Sequence, residues 1–221
     1  MTWLRGAVEA CALVVAALLL CLVVGAANPL PHPVVSTDAL GPDNSETVAD
    51  YLGRARAGLA DLAGDPDLHW ALVSFDSSSS PEQVAQVATG ERVAQVLVRV
   101  SIDRVQTQVI AIGVSGSPES ILESENAAAT TLQGSVGQWD RQSRIDAASA
   151  PRLAAGCYCV VGLIVHAAAD ALLSMQAKPG VRVVEALPQG ATAGKFAVRA
   201  LLPDYVDVVG PLPDDGPVPP P

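Results

Sequence analysis

The chain has 221 residues, half of them apolar, enough for one ordinary domain with a buried core and some accessory sequence. Its formal charge of −10, with 13 basic residues scattered singly, argues against a nucleic-acid partner, because no basic cluster is present to displace phosphate counterions. Eleven of the 13 are arginine and two are lysine, a bias that accompanies a GC-rich genome.

From Ala10 to Ala27, "ACALVVAALLLCLVVGAA", 18 residues carry no charge. As a helix they would measure about 27 Å, just enough to cross a hydrocarbon core. Residues 1–27 are therefore predicted to be a transmembrane anchor. Arg5 and the α-amino group flank it on the short side with Glu9, which places the N-terminus in the cytoplasm and the rest of the chain outside. A cleavable signal peptide is the rival, since Gly25 and Ala27 form a small-x-small pattern before Asn28. Cys11 and Cys21 read as apolar residues of the span. Residues 28–44 hold four prolines and are expected to form an extended spacer.

The spacing of Val48, Tyr51, Leu52, Ala55, Leu59, Leu62 and Ala63 predicts an amphipathic helix over 45–64. "WALVSFD", 70–76, sets Ala71, Val73 and Phe75 against Trp70 and Leu72, also apolar, and reads as a buried strand. In "SSSSPEQVAQVATG" Ser80 is an N-cap, Pro81 the first helical residue and Gln83 the reciprocal partner of a capping box. "RVAQVLVRVSI", 92–102, places Val96, Val98, Val100 and Ile102 on one face, with Gln95, Arg99 and Ser101 opposite. A turn at Asp103 and Arg104 and a paired strand over 105–114 follow. Residues 117–149 read as helical from Ser117 and Pro118, with Leu132, Val136 and Trp139 on one stripe and Gly134 and Gly137 dividing it.

"GCYCVVGLIVHAAADALLSM", 156–175, reads as a strand over 157–166 followed by a helix. On such a strand Cys157, Cys159, Val161, Leu163 and Val165 share one face, and Tyr158, Val160, Ile164 and His166 the other. "GVRVVEAL" returns as a strand. "KFAVRALLP" is predicted to be the last, with Phe196, Val198, Ala200 and Leu202 inward and Lys195 and Arg199 outward. Residues 204–221 form an acidic, proline-rich tail, expected to be extended and mobile.

"ALVSFDSSSSPEQVAQVATGERVAQV" and "GLIVHAAADALLSMQAKPGVRVVEAL" both run strand, short helix, Gly, Arg-Val, strand. Two such units imply an α+β domain over 45–203, a ferredoxin-like βαββαβ sandwich with a helical insertion at 103–155, preceded by the transmembrane helix. "ADALLSMQAKPGVRVVEALP" resembles the propeptide-inhibitor domains of subtilisin-like proteases. That resemblance implies protease inhibition by the segment after the final strand, although here the chain continues into a further predicted strand. The whole arrangement, with "ALVSFD", "VLVRVSIDRVQTQVIAI", "GCYCVV", "PGVRVVEALP" and the proline-rich ends, is similar to single-span envelope proteins of actinobacteria. It implies a location and no activity.

Cys157 and Cys159 are the candidate redox residues. Residues i and i+2 of a regular strand lie about 6.6 Å apart, too far for an unstrained bridge, so buried free thiols are the first reading. A local disulfide, or a thiol-exchange or soft-metal pair, is the alternative. His166 and Asp170 read as a polar pair at a strand-helix junction. "GVSGS", 113–117, misses the nucleophile-elbow spacing, and "GATAGKF", 190–196, misses the phosphate-loop spacing. With no catalytic constellation, metal set or cofactor motif, the expected role is non-enzymatic: an interaction or scaffold module of the cell membrane. Its partners would be the bilayer, another envelope or membrane protein, or a second copy, contacted through the insert at Leu132, Val136 and Trp139.

Overall fold

The computed structural model describes residues 38–135 and 140–221, and before them only Val15 and Ala17. Apart from Val15 and Ala17, the predicted anchor lies outside the described residues, as do two of the predicted contact residues, Val136 and Trp139. Among those described, no helix is long and apolar enough to cross a membrane. Contacts divide the chain into two units, Met1–Val35 and Ser36–Pro221. The second is a mixed α+β unit with a five-stranded antiparallel sheet and, among the described residues, six helices.

After a short strand β1 (Ala39–Leu40), helix α1 (Val48–Asp61) starts where the Thr47 hydroxyl accepts from the Asp50 N–H, and it buries Val48, Tyr51, Ala55 and Leu59. Strand β2 (Leu68–Ser79) leads to α2 (Pro81–Val87), whose predicted capping box forms. The Gln83 N–H donates to Ser80 Oγ, and the Ser80 N–H donates to Gln83 Oε1. Then come β3 (Arg92–Val98) and β4 (Ile110–Gly113). The insert contains α3 (Pro118–Leu122), capped by Ser117, then α4 (Ser124–Ser135) and α5 (Arg141–Ala154), capped by Asp140. Strand β5 (Val160–Ala168), α6 (Ala169–Gln176), β6 (Val181–Ala186) and a two-residue β7 (Ala197–Val198) complete the elements.

The sheet order is β4-β3-β5-β2-β6, with every neighbouring pair antiparallel. Hence β2 and β3, joined through α2, run parallel on either side of β5, while β5 and β6, joined through α6, straddle β2. The two strand-helix-strand units interlock. Gly162 lies mid-sheet, where a Cβ would stand 3.0 Å from the Val73 carbonyl oxygen.

Both sheet faces are covered. Ala71, Val73, Phe75, Val96, Val98, Leu163 and Val165 join Leu132, Leu153 and Leu172 in the helical core. Leu72, Leu97, Val161 and Ile164 pack with Leu40, Leu187 and Leu202 on the other side. Strict alternation breaks twice where β3 meets β5, and from Val93 to Gln95 it is β3 that takes the extra residue. Between the pairs Leu97↔Gly162 and Val98↔Val160, β3 advances one residue and β5 two. This is a bulge at Val161, which moves Val161 away from the Leu163 face and Val160 onto it.

The second face is covered by irregular chain. "KFAVRALLP" forms no full strand: Ala197 and Val198 pair in parallel with Ala39 and Leu40, Val198 is exposed, and Leu201 and Leu202 are both buried. The presumed spacer therefore contributes Leu40, Gly41 and Pro42 to the domain. Gly41 has φ +105°, and a Cβ there would lie 1.7 Å from the Arg199 carbonyl oxygen, so only glycine admits this approach. Arg99, 3% exposed, lies opposite Val98 as predicted, but under this layer, with Nη1 2.6 Å from Asp204 Oδ2. The tail is extended but docked. Arg104 pairs with Asp215, Arg141 with Asp214 at 2.8 Å, and the Gly216 N–H donates to the Arg104 carbonyl at 2.7 Å.

Candidate functional site

Helix α5 ends at Ala154 with Ala155 as its C-cap, and Gly156, at φ +81°, turns the chain out of the helix. Strand β5 begins only at Val160, so Cys157, Tyr158 and Cys159 form a tight turn and not the predicted strand start. In this turn the cysteine Cα atoms approach to 5.3 Å, and the two form a disulfide. The free-thiol reading is corrected by that turn, because the 6.6 Å spacing behind it holds only for extended chain. Just past the end of β3, the Arg99 N–H donates to the Cys159 carbonyl at 2.8 Å, tying the turn to the sheet.

Glu125, in the first turn of α4 and 4% exposed, lies against this disulfide. Its Oε2 accepts from the Cys157 N–H at 2.9 Å, its Oε1 is 3.7 Å from Cys157 Sγ, and the Cys159 N–H also donates to it. Burial pushes its carboxyl above the ordinary range and the Glu82 charge adds to this, while the two N–H donors oppose it. Among the described residues no salt bridge joins Glu125 to a cation. A cavity of about 450 Å³, lined by Glu82, Leu122, Glu125, Gly156 and Cys157 among others, opens beside the bridge. Tyr158, 68% exposed, stands between this cavity and a second of about 450 Å³ lined by Ser78, Gln83 and Gly180.

One carboxylate oxygen of Glu125 and both sulfurs lie within 4.8 Å of one another, the one group among the described residues placed to hold a metal. With the sulfurs joined they offer no thiolate, so a soft cation would require the reduced pair.

Sequence reasoning found the cysteines and missed Glu125, 32 residues away from Cys157. A signal was present: Glu125 shares a helical stripe with Ala128, Ala129 and Leu132, all buried. A glutamate in an apolar stripe needs a partner. Leu132 itself is 2% exposed in the helical core, so it packs the insert and presents no contact surface. His166 and Asp170 do not form a junction pair, because β5 runs on to Ala168. His166 stacks on Trp70 with centroids 4.4 Å apart, and Asp170 is exposed on α6. Burial, aided by the Arg92 charge, lowers the His166 pKa. "GVSGS" runs from the end of β4 to the α3 cap, and "GATAGKF" lies in the irregular stretch before β7.

No family profile, curated protein or solved structure matches this chain.

Proposed function

We propose that this chain is a single-pass cell-envelope protein, cytoplasmic at its N-terminus, whose extracytoplasmic domain acts as a protein-interaction module. The uncharged run from Ala10 to Ala27 supports the anchor. The order β6-β2-β5-β3, with α2 and α6 as crossovers, supports a ferredoxin-like sandwich carrying the insert between its halves.

The observation that carries the interaction reading is Tyr158. An aromatic side chain 68% exposed, fixed on a disulfide-closed turn between two open cavities, is the type of pre-positioned residue that anchors interfaces. Leu122, exposed on the first helix of the insert, lines the same cavity, so the proposed surface lies where the insert meets β5. The partner is an envelope or membrane protein. Protease inhibition loses its support, because the segment after β6 is built into the domain, with the Leu187 N–H on the Trp70 carbonyl and Leu201 and Leu202 buried.

A photo-crosslinking amino acid placed at 158 in the anchored chain, in its native membrane, tests this. A discrete adduct with an envelope or membrane protein from position 158, absent from the exposed control position Val206, is expected. Identical adducts from both positions, or none from either, would overturn it.

A further inference from the structure

The pairing of Glu125 with the disulfide exceeds what the turn requires. Two backbone N–H groups could be satisfied by water or by a neutral amide. Here they hold a carboxyl group, buried and without a cation among the described residues, with an oxygen 3.7 Å from a sulfur. Burial without a cation makes ionisation costly, and the N–H donors offset only part of that cost, so the group holds its proton more tightly than an exposed carboxyl does. A proton kept beside a disulfide can assist its opening. When the bridge is opened, one sulfur leaves as a thiolate, and a nearby acid makes it a better leaving group.

The two sulfurs are not equivalent. Cys157 is half-buried and lines the cavity, whereas Cys159 is buried and does not. An incoming thiol therefore reaches Cys157. Glu125 stands on the same cavity wall, and its carboxyl oxygen lies within 4.8 Å of the Cys159 sulfur.

We propose that Cys157, Cys159 and Glu125 form a thiol–disulfide exchange centre that accepts electrons from a dithiol of a partner protein, with Glu125 as the proton donor to Cys159. One partner thiol, having lost its proton to solvent, attacks Cys157 Sγ. A new S–S bond forms, the Cys157–Cys159 bond breaks, and its electron pair leaves on Cys159. The Glu125 carboxyl gives its proton to that thiolate. The second partner thiol then returns a proton to Glu125 and attacks its own neighbour's sulfur in the mixed disulfide. Cys157 is expelled as a thiolate and takes a proton from water. The dithiol is oxidised to a disulfide, the cysteine pair is reduced to two thiols, and Glu125 is restored. The charged group facing Glu125 from α2 is Glu82, which favours the protonated form. The centre stands whether or not Tyr158 is a contact residue.

The test is the rate at which dithiothreitol reduces the bridge in the full-length chain across pH, against Glu125→Gln. Quenching by alkylation and mass analysis of the peptide spanning 153–182 separates this pair from Cys11 and Cys21. Glutamine keeps an oxygen for the two N–H donors but holds no acidic proton. The variant is expected to be reduced about tenfold or more slowly near neutral pH, with unchanged melting temperature. The wild-type rate should flatten into a shoulder as pH rises past the Glu125 pKa, because the gain in attacking thiolate is offset by the loss of protonated Glu125. The variant rate should only climb. Equal rates with the same climbing profile, or a bridge reduced only when the domain unfolds, would overturn the proposal. Should the variant fail to fold, the wild-type profile decides alone: a shoulder supports the centre, and a climb of about tenfold per pH unit up to the thiol pKa sinks it.

Discussion

The two faces of the sheet are closed by different means. On one side, helices present periodic apolar stripes to Val73, Val96, Leu163 and Val165, and the contact is packing. On the other, the chain from Leu187 to Leu212 has almost no regular structure and is held at points. Arg99 meets Asp204, Arg182 donates to the Leu202 and Tyr205 carbonyls, and Glu185 accepts from the Gly41 N–H, Tyr51 Oη and Arg54. A periodic layer tolerates the loss of any one contact in proportion to its size. A pinned layer depends on a few buried polar groups, each costly to orphan.

Shortening the helical side should have the largest effect. Leu163→Ala, fully buried mid-sheet, is expected to cost about 3–4 kcal/mol in urea unfolding, through lost transfer energy and a residual cavity. On the pinned side, Asp204→Ala leaves the Arg99 guanidinium buried beside a void. Asp204 is partly exposed, so water can reach the gap, and the expected cost is about 2–3 kcal/mol, below the range for a fully buried pair. The comparison sharpens with a second change: adding Arg99→Met should recover most of that loss, whereas no second truncation near Leu163 should do so. If the double variant is as unstable as the single, the point-contact account of this face is wrong. A smaller effect belongs to Ser80→Ala, which removes a capping bond of α2 and should lower stability by about 1 kcal/mol in the same assay.

The finest signal is a slope against pH. Burial, its largest cause, raises the Glu185 pKa above the ordinary value of 4.5, so the folded state holds this proton more tightly than the unfolded chain does. Its contribution is complete below about pH 4.5 and is lost as pH rises through the folded value. The stability of Glu185→Gln relative to wild type should therefore improve as pH climbs from 4.5 towards neutral, and a flat difference would mean that Glu185 titrates normally.

The same contrast explains what was legible in the sequence. Apolar spacing in 48–59, the Ser80-Pro81-Gln83 cap and the alternation of Ala71, Val73 and Phe75 are local signals, and they foretold the helical side and its strands. The bulge at Val161 was not legible, because nothing local to "CVVGL" records that β3 advances one residue there while β5 advances two. Nor was the burial of Arg99: its face was read correctly, but the cover comes from Asp204, 105 residues later. Cys157 and Cys159 were visible as a pair, whereas their bridge depended on where β5 starts, a boundary set by α5 and Gly156.

The pinned layer also bears on how the protein is made. Chains emerge from the ribosome N-terminus first, and Leu187 to Leu212 appear only after all five strands of the main sheet. Until then Leu72, Leu97, Val161 and Ile164 lie on a sheet face whose cover does not yet exist. A nascent or prematurely terminated chain therefore displays a broad sticky surface, and a stop codon near residue 190 would leave that surface bare although every strand of the main sheet had been made.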